Sequence, residues 1–164
     1  MIRFELAEER IVLGADPEDA DVLRGIVEQF TGLLADAEDE DATDPALRRL
    51  LPDPLPDDPL ESAEIRELTR SALVDHKREN AARVAATLGA PGALDPRDEL
   101  AWLQWLTDIR LVLATRLGIL IDGDEGVSAT DADRAMQWTY QALGALQSDL
   151  VDVLDERDAL GVLP

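Results

Sequence analysis

The stretch from Trp102 to Gly118 (WLQWLTDIRLVLATRLG) constrains the fold more than any other part of the chain. At ~100° per residue, Trp102, Leu103, Trp105, Leu106, Ile109, Val112, Leu113 and Leu117 share one wide helical sector, and Arg110 and Arg116 project into it. A plain amphipathic helix puts such charges outside. A guanidinium is not deprotonated in a protein, so arginines on an inward face need carboxylate or carbonyl partners from a neighbouring helix, or a partner molecule. This segment is therefore expected to be either the structural centre of the fold or a binding site.

The two arginines lie about 120° apart on one side of the helix and can engage two separate neighbours. Glu64, Glu67 and Asp75 on the preceding helix are the expected partners, through bidentate pairs that fix register and orientation. A structural clamp is the favoured reading over an anion or ligand site.

A chain of 164 residues is long enough for one domain with a real core, and a single helical domain over 1–164 is expected. Only 4% of the residues are aromatic, so aliphatic and alanine contacts must carry most of the packing. The balance of 36 acidic against 15 basic residues gives a net charge of −21, which repels nucleic acid and anionic membrane and attracts basic protein surfaces. The basic pair Lys77-Arg78 is flanked by Asp75 and Glu79 and reads as a solvated helix face. The chain has no cysteine, which removes disulfides, thiolate metal sites and thiol redox sensing. Its N-terminus lacks a basic and an apolar signal region, and windows such as Leu117 to Ile121 are too short to span a bilayer. A cytoplasmic, membrane-free location is the expectation.

Alternation of Ile2, Phe4 and Leu6 and then Ile11 and Leu13 around Ala7-Glu8-Glu9 predicts an N-terminal hairpin within 1–15 that must dock on helices to persist. A helical bundle over 16–158 follows. Asp16-Pro17 caps a first helix with stripe Leu23, Ile26, Val27, Phe30, Leu33, Leu34 and Ala37, while Gly25 and Gly32 fall on the opposite face, where a close backbone contact is the one reason found for them. Asp36 to Asp44, with six acids and no base, reads as a solvated loop. Asp44-Pro45 caps a short helix carrying Leu47, Leu50 and Leu51, and Pro52 to Pro59 is a proline-rich connector that cannot be helical along its length.

Asp58-Pro59 restarts helix to about Leu88, with stripe Ile65, Leu68, Ala72, Leu73, Val84 and Leu88 interrupted by His76 and Asn80. Asp95-Pro96 opens the tryptophan helix, closed by Gly118 or by Asp122-Gly123. Ser128 and Asp131 form a capping box for a last helix with stripe Met136, Thr139, Tyr140, Leu143, Leu146, Leu150, Val153 and Leu154. Trp138 sits off that stripe beside Ala142 and Ala145, so this second face is expected to meet either the hairpin or a second protomer, making Trp138, Ala142 and Ala145 a possible homodimer interface. The fold class is mainly α: a four-helix bundle-like domain with a short N-terminal β-hairpin.

Catalytic chemistry is not legible. His76 is the only histidine and has no activated nucleophile motif near it. Asp122 to Gly126 fails as a calcium loop, because Gly126 stands where an oxygen ligand is needed and Val127 where the turn glycine belongs. No Glu-x-x-His pair, phosphate loop or dinucleotide fingerprint occurs. A non-enzymatic protein with no cofactor and no metal is expected.

Four motifs resemble a known family: Asp44-Pro45-x-Leu47-x-Arg49-Leu50-x-Pro52; Glu64-x-Arg66-x-Leu68-Thr69-Arg70; Trp102-Leu103-x-x-Leu106-x-Asp108-x-Arg110 through Thr115-Arg116-Leu117-Gly118; and Leu143-x-x-Leu146-Gln147-x-x-Leu150-Val151. Together they resemble the actinobacterial domain-of-unknown-function family that includes the oxidative-stress transcriptional regulator AosR. The resemblance implies a small, mostly helical cytoplasmic protein that regulates transcription in partnership with a sigma factor. The family's cysteine-oxidation switch does not carry over to a chain without cysteine. With the motif residues added, the structural or binding clamp comprises Arg110, Arg116, Asp108, Glu64 and Arg66. Two functions remain: a regulatory interaction protein acting on transcription machinery, and a small-molecule or anion sensor with a pocket lined by the Arg110/Arg116 helix. Unaided DNA binding is a weaker third.

Overall fold

Glu8 and Glu9 both adopt left-handed backbone, with φ of 47° and 69°, and this two-residue turn closes the predicted hairpin. A computed structural model of the chain describes residues 1–37, 44–52, 59–120, 126 and 129–161, with the backbone alone over 59–68. In chain order the elements are β1 Arg3–Ala7, β2 Arg10–Gly14, α1 Pro17–Asp36, α2 Pro45–Leu50, α3 Pro59–Gly89, α4 Pro96–Arg116 and α5 Asp131–Ala159. The strands are antiparallel, with Ala7 opposite Arg10 and Arg3 opposite Gly14.

The hairpin docks as it must. Phe4 N donates to Asp149 Oδ2 of α5 at 2.9 Å, and the Phe4 ring meets Trp102 edge-on at 5.3 Å. Its other edge takes backbone from the α3–α4 connection: Leu13 N donates to Gly92 O and Leu94 N to Ile11 O, both at 2.8 Å. The pairing of Val12 with Ala93 gives the hairpin a short third partner that no side-chain pattern announced.

The tryptophan helix is the centre of the bundle. α4 packs against α2, α3 and α5, while α1 lies on α3. Trp102 and Trp105 are fully buried, and Trp102 Nε1 donates to Thr87 Oγ1 of α3 at 2.9 Å. Asp95 caps the helix by accepting from Arg97 N and Asp98 N at 2.8 Å, and these amides hold its carboxyl below the usual range. Gly118, at φ 69°, ends it: Ile119 N donates to Ala114 O and Gly118 N to Thr115 O, with Ile119 and Ala114 packed in one apolar cluster. Gly126 is also required, because a Cβ there would lie 2.9 Å from both Leu117 O and the Ile119 side chain.

Several local expectations need correction. Asp16 occupies the N-cap position of α1, but its carboxylate takes the Met1 ammonium and caps no amide. Gly25 and Gly32 have open space where a Cβ would stand, so no backbone contact accounts for them. The core line of α3 is Val74, Ala81, Val84 and Leu88; Ala72 and Leu73 are exposed, and Ile65 and Leu68 lie outside the described side chains. The capping box of α5 is Thr130 with Asp133, whereas Ser128 lies outside the described residues. The acid run 38–43 and most of the proline connector, 53–58, are outside them too.

Candidate binding surface

The two arginines of α4 are held differently: Arg116 meets a counter-charge, whereas Arg110 is held by neutral groups and its buried Nε has no hydrogen-bond partner among the described residues. Arg116 donates to Asp44 Oδ2 at 3.2 Å, the same aspartate whose other oxygen caps α2 through Ala46 N at 2.8 Å. Arg49 of α2 returns the contact by donating to Ile119 O at 3.3 Å. Arg116 is the final residue of α4, so its side chain stays substantially exposed instead of entering the core sector. Arg110 reaches α5, not α3, and its partner is an amide rather than a carboxylate: Nη1 donates to Gln147 Oε1 at 2.5 Å, and the guanidinium sits 5.0 Å from the Tyr140 ring centroid. Gly144 lies directly beneath it, where a Cβ would stand 3.4 Å from the guanidinium carbon.

Of the other expected clamp residues, Asp75 pairs with Arg78 on its own helix at 3.8 Å. The side chains of Glu64, Arg66 and Glu67 lie outside the described residues. Asp108 belongs to a different pair, accepting from Lys77 Nζ at 2.6 Å. Burial pushes the Asp108 carboxyl above its ordinary range, against the opposing pull of Lys77. Beside it, Gln104 Oε1 takes hydrogen bonds from Asn80 Nδ2 at 2.7 Å and lies 2.9 Å from His76 Nε2. These side chains line a cleft of about 330 Å³ between α3 and α4. Neither Arg110 nor Arg116 lines it, and its one lysine is paired with Asp108.

A buried ion pair joins the ends of two helices. Arg157 Nη1 donates to Glu99 Oε1 at 2.7 Å, with the side chains 8% and 7% exposed. Glu99 lies near the N-terminus of α4 and Arg157 in the last turn of α5, where each helix dipole favours the charge present. Arg157 extends the Leu150 and Val153 line by one turn, a signal masked by the acids on either side of it.

The opposite side of α5 is where unpaired apolar surface collects. Trp138 is 74% exposed, and Val22 of α1 is 66% exposed. Both border a groove of about 540 Å³ between α1 and α5, lined further by Leu23, Ile26, Ala142, Leu143, Ala145 and Leu146, with Ile2 of the hairpin also in its wall. The sequence-derived face of Trp138, Ala142 and Ala145 is thus one wall of this groove. The hairpin contributes to the wall but leaves Trp138 uncovered, contrary to one of the two covers expected for it. The α1 wall carries a weaker signal in the sequence: Val22, an apolar residue at the edge of the stripe, i,i+4 to Ile26. Among the described residues, no group of three or more His, Cys, Asp or Glu could hold a metal ion, and no helix is long and apolar enough to cross a membrane.

No curated protein and no solved structure matches the chain. A sequence family described as Domain of unknown function (DUF2017) matches residues 1–154, nearly the whole length, and the chain belongs to that family.

Proposed function

We propose that this protein is a non-enzymatic, cytoplasmic regulatory interaction protein of actinobacterial type, akin to AosR-like regulators that partner a sigma factor, but without a thiol switch. The observation that carries the reading is the groove between α1 and α5, where Trp138 stands 74% exposed over an apolar floor. A large aromatic left in water beside a concave apolar surface is the kind of anchor that dominates protein interfaces. The net charge of −21 adds a preference for basic partners and opposes direct binding of DNA.

The competing reading, an anion or small-molecule sensor on the arginine helix, has less support. Arg116 is engaged by Asp44 and Arg110 by Gln147 and Tyr140, and neither lines the α3–α4 cleft or the α1–α5 groove. The test is a binding titration of the purified chain against sigma factors and core RNA polymerase, with and without peroxide. Saturable binding of one of them, unchanged by peroxide, is expected; no binding across the set would refute the transcription role.

A further inference from the structure

The geometry points to the groove between α1 and α5 as the seat of one amphipathic helix from a partner protein, apolar on one face and flanked by lysine or arginine. This rests on the interaction role proposed above and names the partner's chemistry. From Trp138 to Asp149 the α5 wall runs about 16 Å, roughly three helical turns. Ala142 and Ala145 are exposed and keep that wall low, which lets another helix approach closely, while Trp138 and Val22 stand at the edge to clasp it.

Charge selects among occupants. Asp19 and Asp149 line the groove together with Arg3 and the Met1 ammonium, which pairs with Asp19, and Asp21 beside it pairs with Arg24. The preference for a basic occupant therefore comes from exposed Glu18 and from the net charge of the whole chain. A second copy would press two chains of net charge −21 against each other, whereas a helix with basic flanks relieves the repulsion at the same surface. A small apolar ligand fits less well, because a ligand site encloses most of its ligand, and this groove is open at its Trp138 edge, where the ring is 74% exposed.

The three tryptophans make the test specific, since Trp102 and Trp105 are fully buried and Trp138 alone is open to acrylamide. The probe is a synthetic peptide of about 18 residues with leucines at helical spacing and lysines on the flanks, compared with its glutamate counterpart. The lysine peptide should shield Trp138 of the intact chain, saturably and less tightly as salt rises; the glutamate peptide should not. Ala142→Glu and Ala145→Glu, both at exposed positions, should weaken binding of a labelled lysine peptide about tenfold or more despite adding negative charge. Undiminished binding by both folded variants would mean diffuse attraction and overturn the proposal. Shielding of Trp138 by the chain alone at high concentration would overturn it in favour of a second copy, and shielding by sodium laurate but not by the peptide in favour of an apolar ligand. A sigma factor that binds while Trp138 stays open to acrylamide would refute the groove and leave the interaction role standing. Peptide docking with no sigma factor or polymerase bound would do the reverse.

Discussion

Removing Glu99 alone should be among the most destabilising single changes in the bundle. The Glu99–Arg157 pair is 2.7 Å apart with both side chains over nine-tenths buried, so Glu99→Leu strands a guanidinium whose remaining acidic neighbour is the exposed Asp158 at 3.8 Å. At an effective dielectric constant of about 20, attraction at the observed 2.7 Å is worth roughly 6 kcal/mol. Desolvation of the two ions consumes several kcal/mol each, so the intact pair contributes little net stability. Losing one partner forfeits the attraction and keeps the other ion's desolvation, which costs about 3–5 kcal/mol. For a domain of this size that corresponds to a fall in Tm of about 6–20 °C. The double variant Glu99→Leu/Arg157→Met, which removes both ions, should lie within about 1 kcal/mol of the parent or above it. Urea and thermal unfolding followed by circular dichroism measure all four corners of the cycle. A loss below about 1 kcal/mol for Glu99→Leu, with additive effects in the double variant, would refute the buried-pair reasoning.

Two further outcomes follow from particular residues. Replacing Glu8-Glu9 by Asn-Gly should stabilise the chain by about 1–2 kcal/mol in the same urea assay, because both positions hold left-handed backbone that glutamate adopts at a cost. Asp108 has a raised pKa in the fold, so its ionised form opposes folding above that pKa, and the penalty is relieved as pH falls through the folded value toward the usual 3.8. Lys77→Met/Asp108→Leu should therefore gain stability at neutral pH, and the gain should shrink on acidification; urea melts showing a gain that grows in acid would contradict the assignment.

The strongest local chemistry in the sequence carried over into the fold. Asp95-Pro96 and Asp44-Pro45 open α4 and α2 where expected, and Trp102 and Trp105 are fully inward while Leu103 and Leu113 at the edges of their sector are half-buried, because caps and large aromatics act over a few residues. The face of α3 is poorly legible where small residues carry the packing: Ala81 and Val74 are core, while the larger Leu73 is exposed. Arg110 was matched to carboxylates because a charge suggests a counter-charge, yet a neutral amide, Gln147, and a ring face receive it. Backbone pairing of 92–94 with β2 leaves no side-chain signature at all. For the groove, Trp138 was legible as an aromatic off the stripe, but its opposing wall on α1 depends on how two distant helices are set side by side.

The proposed function has the protein present this groove to a partner rather than carry out chemistry within the bundle. It is tested most directly by 19F NMR of the chain labelled with 5-fluorotryptophan, where three tryptophans give three signals. Addition of the sigma factor or polymerase found to bind should shift the Trp138 signal at saturation, while those of fully buried Trp102 and Trp105 hold their positions. Saturated binding with Trp138 unmoved would rule out the groove as the docking surface.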